Sequence, residues 1–172
     1  MKSIKFNLVL LAISLCSFAG MAQPQKDIVD VAVGSDAHTT LVAAVQAADL
    51  VATLKSKGPF TVFAPTNDAF AKLPAGTVET LLKAENKAAL AGVLTYHVVA
   101  GSFDAKAVVA AIQKGKGKLV LTTVAGGKLI AGIEDGKVVL TDEKGGKATV
   151  TTTDLKASYG IIHVIDGVVL PK

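Results

Sequence analysis

Phe60-Thr61-Val62-Phe63-Ala64-Pro65-Thr66-Asn67-Asp68-Ala69-Phe70 is the stretch from which the rest of the chain can be read. Its first five residues form an apolar run bounded by Gly58-Pro59 and by Pro65, the pattern of a short buried strand. Pro65 has no amide hydrogen to donate, so the strand ladder stops there. Thr66 or Asn67 can accept from a free amide in the next turn and cap a short helix. Asp68 then places a carboxylate near that helix's positive end. Ala69, Phe70 and Leu73 supply its apolar face. Strand, stop, cap and helix follow one another without a spare residue. By physics alone this is a structural joint, with no chemistry in it.

Upstream of the joint the pattern is helical and Ala-rich. Asp27 to Val33 reads as a short helix closed by Gly34. Thr39 or Thr40 can cap a second, in which Leu41, Ala44, Val45 and Ala48 share one face. Leu50 to Leu54 continues as helix until Lys57-Gly58-Pro59 breaks it. Downstream, Thr77 can cap a helix through Val78, Leu81 and Leu82. Asn86 begins another, with Leu90, Val93 and Leu94 on one face. Tyr96-His97-Val98-Val99 reads as a strand closed by Gly101. Ser102 or Asp104 caps a helix over Val108, Val109 and Ile112, ended by Gly115-Lys116-Gly117-Lys118. That tetrapeptide is a solvated linker and not a phosphate loop, because the nucleotide-loop spacing fails and no Ser or Thr follows Lys118.

From Lys118 the period changes to that of strands. Leu119 to Val124, Leu129 to Ile133, Val138 to Thr141, Ala148 to Thr153 and Ile161 to Ile165 are the candidates. Gly126-Gly127, Asp135-Gly136 and Gly145-Gly146 separate the first four, and each is a hairpin signal. Asp166-Gly167 marks a turn or bulge before Val168-Val169-Leu170. The expected class is α+β: helices first, one central strand pair, then an antiparallel meander.

Three ordered motifs carry a family resemblance. Thr61 to Phe70 resembles the first signature of the fasciclin domain. Leu94-Thr95-Tyr96-His97-Val98-Val99-Ala100-Gly101 resembles its central Tyr-His motif. Gly160-Ile161-Ile162-His163-Val164-Ile165-Asp166-Gly167-Val168-Val169-Leu170-Pro171 resembles its closing motif. The resemblance covers about residues 26 to 172, and three long motifs in order are far more specific than one short pattern. It implies a wedge-shaped β-sandwich flanked by helices in the N-terminal half. Where relatives often carry Asn before the glycine at 160, this chain has Tyr159, which tolerates a left-handed turn less readily.

Residues 1–22 read as a secretory leader and are set apart from the fold. Lys2 and Lys5 give a positive start, Leu8 to Leu15 an apolar run, and Gly20-Met21-Ala22 small residues before the expected cleavage. The run is shorter than the roughly 20 residues of a membrane span. Leu15 stands where a lipoprotein signal at Cys16 would need a small residue. The expected product is one domain over 26–172, exported to the periplasm, cell surface or medium, without a membrane anchor and monomeric. Cys16, the single cysteine, leaves with the leader, which excludes disulfides and thiolate metal sites. Loss of Lys2 and Lys5 lowers the formal charge from +4 to +2. Every basic residue is Lys. Without Arg's bidentate fork, and without Trp, a nucleic-acid role is not expected.

Chemistry-bearing residues are few. His38 lies at a polar helix start and reads as a surface residue. His97 could act as a base or ligand, or hold a hydrogen bond in the core, and the structural reading is preferred because buried polar groups are normally satisfied. The resemblance implies that His97 bridges toward the first signature, with Thr66, Asn67 or Asp68 as its partner. His163 lies on a strand apolar on both faces and is expected to be buried and tied to backbone. A lone His is not a metal site, which needs convergent ligands, and no metal or cofactor is expected. Ser35, Ser56, Ser102 and Ser158 lie outside Gly-x-Ser-x-Gly and show no base nearby in sequence. Glu134-Asp135 is better read as turn chemistry than as a glycosidase pair.

Two functional readings remain. The first is a secreted, non-catalytic module for adhesion or for binding a protein, surface or matrix component. The second is an exported hydrolase or small-molecule-binding protein using His97 or His163. For the first, the resemblance offers Tyr96 and His97, with Val98 and Val99, because the matching segment in animal members is tied to integrin binding. It also offers Asn67 and Asp68. Tyr159 joins them as an aromatic that could project outward. Buried strand and helix capping compete with binding at the first two places, and integrin itself is not assumed for a chain with a bacterial-type leader.

Overall fold

The computed structural model describes residues 26–55, 58–158 and 160–172. The leader read at 1–22, Ser56, and the break at Lys57 lie outside the described residues. Among those described, helices α1 (Ile28–Val33), α2 (Thr39–Ala47) and α3 (Val51–Leu54) come first. Strand β1 (Phe60–Pro65) follows, then α4 (Asn67–Ala71), α5 (Thr77–Leu82), α6 (Lys87–Tyr96), β2 (Val98–Ala100) and α7 (Ala105–Lys114). The chain ends in β3 (Lys118–Thr122), β4 (Lys128–Glu134), β5 (Lys137–Thr141), β6 (Lys147–Ala157) and β7 (Gly160–Ile165).

The opening joint forms as its residues dictate. Pro65 ends β1, and Thr66 Oγ1 accepts the Ala69 amide at 3.2 Å to cap α4. Asp27 caps α1 through a reciprocal box with Asp30, and Asp104 caps α7 by accepting the Ala107 amide at 2.7 Å. Among the boundaries that differ from expectation, such as α5 being entered from Gly76 and not capped by Thr77, two bear on the motifs. Helix α6 runs on through Tyr96, so of the central motif only Val98, Val99 and Ala100 lie in a strand. Neither Thr39 nor Thr40 caps α2. The side chain of Asn67 does this from outside the helix.

All seven strands join in the order β2-β1-β7-β6-β5-β4-β3. The three glycine-marked hairpins give the antiparallel β3-β4-β5-β6 meander. At its far side β7 runs parallel to β1, with Phe63 opposite His163, and β1 pairs antiparallel with β2. The outer strands then meet: Val99 bridges Thr123, and the Val124 amide donates to the Val98 carbonyl at 2.7 Å. This corrects the expected β-sandwich to one mixed sheet, nearly closed into a barrel. The long strand β6 makes the difference. Its irregularities between Val150 and Leu155 let one strand serve both halves and curl the sheet.

Strand alternation divides the core in two. Phe63, Leu129, Leu140, Ile165 and Val169 point inside the curled sheet, together with Tyr96 and with Ile112 of α7. Val62, Ala64 and Ile162 point the other way, onto Ile28, Leu41, Val45 and Leu94 of the helices. β1 and β7 therefore form the wall between the cores, and the three histidines lie along it.

Candidate functional site

His97 follows the last residue of α6 and is 2% exposed. Its own amide donates to Leu94, which leaves the Val93 carbonyl without its usual helical partner. The His97 ring fills that place, with Nδ1 2.8 Å from the Val93 oxygen. Nε2 accepts the Val169 amide at 3.2 Å. A carbonyl on one side and an amide on the other fix the tautomer: Nδ1 carries the proton. Burial holds the pKa down to about 4, against smaller upward effects of the Val93 carbonyl and the Asp142 carboxylate. The ring is a neutral two-sided clamp between the central and closing motifs, and neither nitrogen is free to act as a base.

The expected bridge from the His97 side chain to Thr66, Asn67 or Asp68 is corrected by these partners. What joins the central motif to the first is main chain, the Phe63 amide donating to the His97 carbonyl at 2.9 Å. Asn67 works elsewhere. Its Oδ1 accepts the Thr40 amide at 3.0 Å and the Thr39 hydroxyl at 3.2 Å, and its Nδ2 donates to the Asp36 carbonyl at 2.8 Å. These three side-chain hydrogen bonds are directed to the start of α2 and the turn before it. Asp68 is exposed on α4 and is the member of this group that faces solvent.

Tyr96 is fully buried. Its hydroxyl donates to the Lys128 carbonyl at 2.6 Å and accepts the Glu143 amide at 3.3 Å. Burial raises its pKa, and the carboxylates of Glu143 and Asp142 add to this while the Glu143 amide opposes it. Val98 and Val99 are buried as well. As places for a partner to bind, Tyr96 and His97 are corrected: both are core, and in this fold they offer no surface. Tyr159 lies outside the described residues.

His163 is buried and tied to backbone, as expected. Nε2 lies 2.7 Å from the Phe103 carbonyl, Nδ1 accepts the Asp154 amide at 3.4 Å, and the ring stacks on Phe63 with centroids 5.7 Å apart. Asp154 was not singled out by sequence reasoning. It adopts φ 60°, and its carboxylate accepts the Ala105 amide at 2.8 Å, which helps cap α7. Asp142 was missed too. It is buried and accepts from the Lys144, Gly146 and Leu170 amides at 2.9, 2.7 and 3.0 Å. Asp142-x-x-Gly-Gly reads as a turn, and nothing local marks the distant Leu170.

His38 departs most from its reading. It is 6% exposed, not a surface residue, and it ends the short 3₁₀ turn Asp36–His38 before α2. Nδ1 lies 2.9 Å from Ser35 Oγ. Burial lowers its pKa. The nearby Ala64 carbonyl opposes that shift but does not reach hydrogen-bond geometry, so Nε2 has no partner among the described residues. Ser35 therefore does have a base beside it, but among the described residues no carboxylate orients the far side of the ring as a triad requires. Among the described residues no three His, Cys, Asp or Glu side chains converge as a metal set, and no helix is long and apolar enough to cross a membrane.

Residues 36–171 match the family described as Fasciclin domain. The chain is 55% identical over 144 residues to protein sll1483 of Synechocystis, across 84% of this chain and 73% of that one. It is 43% identical over 122 residues to immunogenic protein MPB70 of Mycobacterium bovis, across 67% of this chain and 60% of that one. In fold it is similar to a domain pair from the insect cell adhesion molecule fasciclin I, with TM-score 0.74 and 21% identity over 86% of this chain and 51% of that one. The motifs, the curled seven-stranded sheet and these matches agree, and the chain belongs to the fasciclin domain family.

Proposed function

We propose that the protein is an exported, non-catalytic module that binds a protein, surface or matrix component and serves in adhesion. One observation carries this reading. The two histidines of the family motifs spend all four ring nitrogens on backbone groups, at Val93, Val169, Phe103 and Asp154. Chemistry at His97 or His163 would have to dismantle the core first. The name of the insect relative supports adhesion, and the missing Arg argues against nucleic acid as partner. With Tyr96 and His97 in the core, binding falls to exposed groups, among them Asp68 on α4, the exposed residue of the first motif.

The reading is tested by applying purified, labelled protein to intact cells and extracted matrix of its own organism, beside a panel of ester and glycoside substrates. Saturable, competable retention without turnover is the expected result. Turnover without retention would overturn it.

A further inference from the structure

Between the N-terminal helices and the β1-β7 wall lies a mostly enclosed cavity of about 110 Å³. Among the described residues its lining is almost wholly apolar and contains no charged side chain. The hydroxyl of Ser35 is taken up by His38, that of Thr95 by the Ala91 and Gly92 carbonyls, and both nitrogens of His97 are bonded. His38 also lines this cavity, and its buried Nε2 is the side-chain polar atom that has no partner among the described residues.

A desolvated imidazole nitrogen without a partner is costly, and natural cores rarely keep one without a reason. One water at Nε2 and the nearby Ala64 carbonyl would leave most of the space empty, because the cavity is several times the volume a single water needs. The size suits something larger, since a dry engineered cavity of about 150 Å³ holds benzene. An ionic head group is unsuited, for among the described residues no counter-charge lines the cavity and burying an unpaired charge is prohibitive. Ser35 Oγ can donate to Nδ1 or accept from it, so Nε2 is a donor in one tautomer and an acceptor in the other. A hydroxyl pairs with either.

We propose that this cavity is a binding site for a small neutral amphiphile, a single ring or short branched chain bearing one hydroxyl that hydrogen-bonds to His38 Nε2. The site uses neither His97 nor His163 and stands apart from the adhesive reading, which survives its failure.

Phenol and benzene are the probes, titrated into the purified protein and followed by amide and histidine side-chain nitrogen resonances. Both are expected to bind saturably and to shift the amides of Leu41, Val42 and Leu94, and phenol alone should move the His38 Nε2 resonance strongly. In His38→Leu, the ratio of phenol to benzene affinity should fall by about tenfold, the effect of burying a hydroxyl without its partner. Val45→Phe, which fills the cavity, should abolish binding of both. The proposal is overturned if neither probe saturates, if phenol leaves the His38 resonance in place, or if the affinity ratio is the same in His38→Leu. Should that variant not fold, the wild-type His38 resonance and Val45→Phe decide the matter.

Discussion

The imidazole of His97 accepts the backbone amide of Val169 across 3.2 Å, joining residues far apart in sequence where no strand pairing exists to do it. The segment after β7 has no ladder of its own. His97 holds Val169, Asp142 holds Leu170, and Asp166 exchanges hydrogen bonds with Thr149 through its amide and its carboxylate. Because Val169 fills the interior of the curled sheet, these bonds position a core residue and not a loose tail.

Replacing His97 by Phe keeps the volume roughly right but leaves a buried carbonyl and a buried amide unpaired. Each such group costs about 1–3 kcal/mol, so His97→Phe is expected to lose about 3 kcal/mol in urea unfolding. The Val169 amide should lose its protection from hydrogen exchange more than the amides of the β3-β4 hairpin do. Uniform loss across both regions would show that His97 does not pin this segment.

The same ring sets a pH dependence. In the unfolded chain it protonates near its ordinary 6.5, whereas burial holds it to about 4 in the fold. Below 6.5 the unfolded state therefore binds more protons, and stability falls with pH until the folded ring also protonates. Between pH 6.5 and 5, above the range of ordinary carboxylates, the loss should come to about 1.5 kcal/mol. His38 is shifted the same way and adds to it. Urea titrations at both pH values should show the fall in the wild type and a shallower one in His97→Gln. An equal slope in both would refute the assignment.

What could be read from sequence, and what could not, divides along the same line. The Pro65 stop, the Thr66 cap and the three glycine hairpins were legible because each is settled within a few residues. The parallel pairing of β1 with β7 spans some hundred residues and leaves no local mark. The role of His97 was legible as structural, but its partners were not. They are backbone groups, which look alike at every position. His38 was misread because a polar helix start normally faces water. Here Asn67 supplies the capping bonds from another element, and His38 is left to turn inward.

That division of labour separates Asn67 from Asp68. Asn67→Ala removes three hydrogen bonds at the start of α2 and should cost about 1–2 kcal/mol, the usual range for a lost cap. Asn67→Asp keeps the acceptor and adds favourable charge at a helix N-terminus, but it sets a carboxylate oxygen against the Asp36 carbonyl to which Nδ2 donates, so it should recover only part of the loss. Asp68→Ala should stay within about 0.5 kcal/mol, as exposed substitutions do. If Asp68 contributes to a binding surface, Asp68→Ala weakens retention on cells without lowering stability. Weakened retention in Asn67→Ala alone would instead trace binding to the order of α2.

Gly160 carries the strictest steric demand in the closing motif. A Cβ there would lie 2.1 Å from the Phe60 carbonyl oxygen, in the register that pairs β1 with β7. Backbone on both strands would have to part, and with it the wall between the two cores. Gly160→Ala is therefore expected to cost at least about 3 kcal/mol, the upper range of overpacking. Gly92 is the control. It lies inside α6 with open space where its Cβ would be, so Gly92→Ala should gain about 0.5–1 kcal/mol from helix propensity. Thermal unfolding of the two variants should therefore move in opposite directions. If Gly160→Ala melts with the wild type, the close approach of β1 and β7 is not what that glycine serves.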